Sequence, residues 1–161
     1  MEGVSLYALF YFNMKLEDEI SQPKFKSEYQ KAALNIIYTC NWFTSQHSAN
    51  LKPHGITQQQ YNILRILKGQ HPKPASVKLL KERMMDKMSD ASRLVEKLRL
   101  KGFVERKINR DDRRNVDVAI TQKGLNLLTS LDYLDDNFKE IIALDNSEVQ
   151  QLNELLDKLR G

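Results

Sequence analysis

Five consecutive charged residues, 110–114, form the stretch of this chain best suited to chemistry, in the order Arg-Asp-Asp-Arg-Arg. A guanidinium group is permanently charged, and its planar fork of donors matches phosphate and carboxylate oxygens. No catalytic site needs such a run, whereas an arginine-tipped loop fits a narrow minor groove of DNA, where the negative potential is strong. The residues predicted to contact DNA here are Arg110, Asp112, Arg113 and Arg114. The alternative is a solvated loop tip.

Two short strand patterns flank this run. In residues 104–108, Val104, Arg106 and Ile108 alternate with Glu105 and Lys107. In residues 116–120, three apolar residues alternate with Asp117 and Ala119. A period of two over five residues predicts two half-buried antiparallel strands. The charged run then becomes the tip of a β-hairpin.

Two short amphipathic helices precede this hairpin. The first is predicted to start after Ser76, with an apolar stripe of Val77, Leu80 and Met84. The second has apolar residues at intervals of three and four, namely Ala91, Leu94, Val95 and Leu98. Ser89 is predicted to cap this second helix and Gly102 to end it. Helix, turn, helix and two-stranded wing in this order predict a winged helix-turn-helix.

The outward side of the second helix is polar near its N-terminus, the end that a recognition helix inserts into the major groove. The side chains predicted to contact DNA there are Ser89, Asp90, Ser92, Arg93 and Lys97. Hydroxyl and guanidinium groups can reach base edges or phosphates from such positions. For Arg93 the alternative is an ion pair on the helix surface with Glu96 or Asp90, each three residues away.

Positive charge is concentrated in the same region. Residues 78–114 contain thirteen Lys or Arg and seven Asp or Glu, a net charge of +6, while the whole chain has 25 basic and 21 acidic residues and a net charge of +4. The remainder of the chain therefore carries −2. Such segregation is the expected electrostatic footprint of a surface that binds phosphates.

The stretch 56–124 resembles the MarR family of bacterial winged helix-turn-helix transcriptional regulators. The resemblance lies in ITQQQYNILRIL, SRLVEKLRLKGFVER and DDRRNVDVAITQKG. It implies an obligate homodimer on a pseudo-palindromic operator, whose binding a small molecule or an oxidant weakens. It also implies that Arg113 and Arg114 enter the minor groove while Asp112 holds an arginine. Asp86 departs from the family pattern, which usually has an apolar residue at this place in the turn.

Helical arms are predicted on both sides of this core. We expect residues 1–24 to form an N-terminal extension and arm, 25–55 a dimerisation helix, 56–120 the winged helix-turn-helix, and 121–161 the C-terminal dimerisation helices. Residues 1–13 are mostly apolar and aromatic, so Met14 is hypothesised to be the natural start. The alternative is a true extension that docks on a partner subunit.

Four further helices are predicted, one at the start of the winged helix-turn-helix segment and three in the flanking segments. The first covers residues 25–51, and the next runs from Gln58 to Lys68, where Gly69 stops it, with a capping box of Thr57 and Gln60. A third is predicted from 121 to 143. The last opens with a capping box of Ser147 and Gln150 and carries leucines on one face, namely Leu152, Leu155, Leu156 and Leu159.

A small aromatic effector is the ligand that the resemblance suggests. The candidate pocket residues are Tyr38, Trp42, Phe43 and Tyr61, for which plain core packing is the alternative. Cys40 lies on the apolar stripe of the long helix. A buried structural thiol is predicted there instead of a redox sensor, since a reactive thiol needs an electropositive, partly exposed setting.

The remaining composition argues against other classes of protein. One cysteine excludes an intrachain disulfide and a cysteine-cluster metal site. The three histidines are scattered and have no carboxylate at ligand spacing, so neither a metal nor a cofactor is predicted. The sequence lacks a Gly-rich phosphate loop, G-x-S-x-G and H-E-x-x-H, so no enzyme activity is predicted. The longest apolar run, 6–12, is too short to span a bilayer, and a cytoplasmic location is expected.

The sequence thus predicts a mostly α protein with a small β-wing. Its expected function is that of a homodimeric transcriptional regulator, a repressor in the simplest case, that binds double-stranded DNA and responds to an effector. The alternative is a winged-helix adaptor whose basic face binds an acidic protein, because a fold does not fix its function.

Overall fold

The computed structural model describes residues 15–108 and 116–161, except for the side chains of residues 135–137 and 139. The chain divides into two units, Met1–Ala49 and Asn50–Gly161. In chain order, the helices are α1 (Leu16–Glu19), α2 (Glu28–Leu51), α3 (Gln58–Gln70), α4 (Val77–Arg83), α5 (Ala91–Leu100), α6 (Gln122–Ser130), α7 (Tyr133–Ile141) and α8 (Asn146–Arg160). The strands are β1 (Ala75–Ser76), β2 (Val104–Ile108) and β3 (Val116–Ile120).

The long helix α2 forms where the sequence predicted it, beginning three residues later, at Glu28. The Ser27 hydroxyl accepts a hydrogen bond from the Gln30 amide at 3.2 Å, which satisfies a donor of the first turn. The prediction of a buried Cys40 is wrong, because its side chain is exposed. Ile37, on the same helix, is 58% exposed. Periodicity groups these residues on the helix but does not show that the chain covers them.

Two polar contacts join α1 to α2 in the first unit. Lys31 Nζ donates to Glu17 Oε1 at 2.5 Å, and the Tyr38 hydroxyl donates to Glu19 Oε2 at 2.5 Å. The hydrogen bond from Lys31 lowers the pKa of Glu17. These contacts fix the short N-terminal helix on the long one.

Helix α3 lies at the centre of the second unit. The predicted capping box is present, since Thr57 Oγ1 accepts from the Gln60 amide and the Gln60 side chain accepts from the Thr57 amide. The predicted end at Lys68 is wrong by two residues, as the helix continues through Gly69 to Gln70. Fully buried side chains of α3 pack with those of α4, α5 and the sheet, among them Ile63, Leu64, Leu67, Leu80, Val95, Leu98 and Val118.

The sheet has the order β1-β3-β2, with both pairs antiparallel. Strands β2 and β3 pair as predicted, with Val104 opposite Ile120 and Ile108 opposite Val116. Only Val104 of β2 is buried, and Ile108 is 69% exposed. The prediction that β2 is half-buried is therefore wrong for every residue after Val104. The hairpin therefore leaves the core as it approaches its tip. Strand β1 has two residues, too few for a period to be visible.

The helix predicted over 121–143 is interrupted. Amides of residues 131, 132 and 134 donate to carbonyls three positions earlier, a 3₁₀ link between α6 and α7. The hydroxyls of Thr129 and Ser130 donate to carbonyls of the preceding turn, which bends helices. The link buries both Leu131 and Leu134.

Helix α8 starts two residues earlier than predicted. The capping box uses Asp145 with Glu148, at 2.9 and 2.8 Å, so the prediction of Ser147 with Gln150 is wrong. The leucine face forms as predicted, and no residue of α8 is buried.

Candidate nucleic-acid interface

Asp90, and not Ser89, caps α5, the helix predicted to enter the major groove. The Asp90 carboxylate accepts a hydrogen bond from the Arg93 amide at 3.1 Å. The predicted cap at Ser89 is wrong because the Ser89 hydroxyl is used elsewhere, donating to Asp86 Oδ2 at 2.6 Å. Serine and aspartate are both good N-cap residues. The hydrogen bond from Ser89 to Asp86 leaves the cap to Asp90.

Asp86 organises the turn between α4 and α5. Besides the Ser89 hydroxyl, its carboxylate accepts from the Met88 amide at 3.0 Å. The hydrogen bond from Ser89, followed by those from the Met88 amide and the Gln59 side chain, lowers the pKa of Asp86 below its ordinary value. The residue that departs from the family pattern thus replaces apolar turn packing with a hydrogen-bonded turn.

The buried residues of α5 and the glycine that ends the helix match the prediction. Ala91, Val95 and Leu98 are buried, while Leu94 is half-buried against the core. The helix ends in a Schellman motif, in which Gly102 adopts φ +75°. Its amide donates to the Arg99 carbonyl at 2.8 Å and the next amide donates to the Leu98 carbonyl at 3.0 Å.

Ser92, Arg93 and Lys97 are exposed on α5, on the side away from the core. Glu96 is occupied by Arg99, whose Nε and Nη2 donate to it at 2.9 and 2.8 Å. This bond lowers the pKa of Glu96 and raises that of Arg99. The alternative ion pair of Arg93 with Glu96 does not form, and Arg93 makes no ion pair with any residue that the structure describes. Its guanidinium is therefore available to a ligand.

The wing is fixed to the recognition helix at its base. The Thr121 hydroxyl donates to the Gly102 carbonyl at 2.8 Å and accepts from the Gly124 amide at 3.1 Å, capping α6 as predicted. The Thr121 amide donates to the Phe103 carbonyl at 3.0 Å. Helix α5, both strands and α6 therefore meet in one hydrogen-bonded junction.

Further contacts tie the wing to α5. Arg106 of β2 lies 3.9 Å from the Glu96 carboxylate. Lys123 Nζ donates to the Lys101 carbonyl at 2.9 Å and lies 5.0 Å from the centre of the Phe103 ring. The predicted DNA contacts of the wing tip lie outside the described residues, namely Arg110, Asp112, Arg113 and Arg114.

A basic depression on α4 was not among the predicted contacts. Its lining residues are Lys78, Lys81, Glu82 and Lys87, around a volume of about 460 Å³. The signal in the sequence is the three-residue step from Lys78 to Lys81, which alternates with the apolar stripe of the same helix. A charge count over the whole region does not single out this face.

The candidate effector residues fall into both units. Tyr38, Trp42 and Phe43 belong to the first unit, where the rings of Trp42 and Phe43 make an edge-to-face contact at 5.5 Å. Tyr61 belongs to the second unit, is buried, and accepts a hydrogen bond from Arg65 at 3.0 Å. In the described part of the chain, no cluster of His, Cys, Asp or Glu could hold a metal ion. None of the described helices has the length and apolar character to cross a membrane.

Comparison with known proteins agrees with this geometry. The MarR family model matches residues 56–116. The HTH-type transcriptional regulator SarZ of Staphylococcus haemolyticus is 24% identical over 102 residues, which are 63% of this chain and 68% of that protein. A MarR transcription factor from Planctomyces limnophilus superposes with a TM-score of 0.63 at 27% identity, over 83% of this chain and 98% of that one.

A structure of S. aureus MepR, described as being in a DNA-binding conformation, superposes with a TM-score of 0.66 at 17% identity, over 80% of this chain and 95% of that one. The fold, the helix-turn-helix geometry and the family match agree. The MarR family model thus matches the winged helix-turn-helix segment of this chain, which is similar in sequence and fold to MarR-family transcriptional regulators.

Proposed function

We propose that the protein is a homodimeric transcriptional regulator that binds duplex DNA in a sequence-specific manner, acting as a repressor. The observation that supports this most is the exposed face of α5, where Glu96 binds Arg99 and Arg93 forms no ion pair with a described residue. The junction at Thr121 holds the wing on the same body as that face. One rigid unit thus offers a helix to the major groove and a basic hairpin to the minor groove.

The contacts proposed for this interface are the predicted ones, with one change of role. Ser92, Arg93 and Lys97 face the major groove, while Asp90 orders the first turn by capping it. The wing contributes its tip residues, Arg110, Asp112, Arg113 and Arg114. The Ser89 hydroxyl belongs to the turn and is the member of the set least available to DNA.

Dimerisation is proposed through the arms, residues 25–55 and 121–161. Helix α8 presents Leu152, Leu155 and Leu159 at 40, 59 and 65% exposure. An amphipathic helix of this length is marginal in water unless its apolar face is covered. A second copy of the chain covers such a face symmetrically and sets the spacing of two recognition helices.

Effector control is proposed as a population shift. A small aromatic ligand, bound beside Tyr38, Trp42 and Phe43 in the first unit or beside Tyr61 in the second, need not touch DNA, because changing the angle of two recognition helices already breaks their match to the half-sites. Thermal shifts with a panel of phenolic compounds test this. The absence of any shift would contradict the pocket.

Selection of bound sequences from a random duplex pool tests the main proposal, since an enriched pseudo-palindrome identifies the operator. Arg114→Ala and Arg93→Ala should then weaken binding, with Arg114→Ala lowering the salt slope by about one unit. Lys24→Ala, a charge removal in the exposed loop between α1 and α2 and outside the proposed dimerisation arms, is the matched control and should change neither quantity. Unchanged affinity of Arg114→Ala would contradict the wing assignment, and binding only to acidic proteins would support the adaptor alternative.

A further inference from the structure

Two large apolar side chains are exposed in the turn that leads into the recognition helix. Met88 is 94% exposed and Met85 is 83% exposed, whereas the adjacent Met84 is buried at 1%. A single exposed apolar residue on a protein surface is ordinary. Two within the seven residues that connect α4 to α5, beside the helix proposed to read DNA, indicate a surface that contacts a partner.

The backbone that carries Met88 is held in place. The Met88 amide donates to Asp86 at 3.0 Å, and the same carboxylate binds the Ser89 hydroxyl at 2.6 Å. The Met85 amide donates to Asn62 Oδ1 on α3 at 3.1 Å. The turn is therefore fixed to the core of the unit, and the exposed side chain projects from a preorganised support.

The surroundings of this side chain favour an anionic partner. Lys87 precedes Met88 in the turn, and it lines the basic depression together with Lys78 and Lys81. Duplex DNA combines a polyanionic backbone with one apolar group on the floor of the major groove, the C5-methyl of thymine. Methionine is unbranched and polarisable, so it adapts well to such a contact.

We propose that Met88 contacts the C5-methyl group of a thymine at one position of each half-site and so contributes to sequence preference. Met88 lies two residues before the N-cap of α5, at the end of the recognition helix that enters the groove. This inference rests on the proposed DNA-binding function. It adds an apolar contact to a set that otherwise consists of charged and hydroxyl groups.

The test uses the full-length protein and a duplex that it selects from a random pool. Each thymine of that duplex is replaced in turn by deoxyuridine, which lacks only the methyl group. At one thymine per half-site, the wild-type protein should bind about fourfold more weakly after replacement, the effect of one buried methyl-sized group. Met88→Ala should bind the thymine and deoxyuridine duplexes equally, and Met88→Leu should keep the preference.

Met85→Ala is the matched control, because it removes the other exposed methionine of the same turn and should keep the wild-type preference. Thermal melting should show all three variants folded like the wild type, since neither side chain is in the core. A selected duplex with no methyl-sensitive thymine, or a preference that survives in Met88→Ala, overturns the inference while the DNA-binding function stands. Failure to enrich any duplex refutes that function, and the inference with it.

Discussion

Gly124→Ala tests how tightly the base of the wing is packed. A methyl group at Gly124 would lie 2.4 Å from the Phe103 carbonyl oxygen and 2.7 Å from Ile120 Cγ1. Neither neighbour has room to move, because the carbonyl accepts the Thr121 amide at 3.0 Å and Ile120 is buried in the core. Both distances are far below normal carbon contacts, so the strands or α6 must shift.

The expected change in folding stability is the difference between two opposing effects, overpacking and helix propensity. Overpacking a close contact costs about 1–3 kcal/mol, while alanine is favoured over glycine inside a helix by at most about 1 kcal/mol. The net loss of folding stability is about 2 kcal/mol, because the obstructing Phe103 oxygen is a backbone atom, which cannot turn away as a flexible side chain could. For a chain of this size, that lowers the melting temperature by about 4–8 °C.

Gly69→Ala is the matched control, because nothing lies within 4 Å of the added methyl group in helix α3. It should raise stability by about 0.5–1 kcal/mol, through helix propensity and a smaller unfolded-state entropy. Melting is compared by circular dichroism at one protein concentration, because association shifts the midpoint. If Gly124→Ala melts at or above the wild-type temperature, the close packing of α6 on the hairpin is refuted.

Three further perturbations test the turn, the cap and the arm. Asp90→Ala should cost about 1 kcal/mol in urea unfolding and Ser89→Ala less, and the reverse order would make Ser89 the cap after all. The pKa of Asp86 is lowered from 3.8, so its contribution to stability is complete above that pH and is lost as the pH falls through the lower folded-state value. Urea titrations of wild type and Asp86→Ala should therefore differ at about pH 6 and converge only when the pH is below the lowered folded-state pKa of Asp86, whereas a pH-independent difference would contradict the carboxylate's role. Leu155→Asp should convert the proposed dimer to a monomer in light scattering, and an intact dimer would exclude this face of α8.

The sequence is most informative where one short-range bond decides the structure. The capping box of Thr57 with Gln60, the cap at Ser76 and the left-handed Gly102 each involve partners within about four residues. Such features can be predicted from residue types and spacing because no distant residue competes for the same groups.

Predictions fail where two neighbouring residues suit the same role. Ser89 loses the cap to Asp90 because Asp86 takes its hydroxyl, and a single-sequence pattern does not show that competition. The interrupted C-terminal helix has a different cause. Leu128, Leu131 and Leu134 are three residues apart, a spacing compatible with both an α-helix and a 3₁₀ link, so the apolar pattern continues through the break.

Apolar periodicity shows which residues share a helix face, but not what covers that face. This explains why Cys40 was predicted to be buried and is exposed, together with Tyr29 at 90% on the same helix. The leucines of α8 have the same property. Both arms show faces that the described residues leave open, whereas the winged core buries its own stripe. The packing of the core can therefore be derived from one chain, and that of the arms depends on the dimer proposed above.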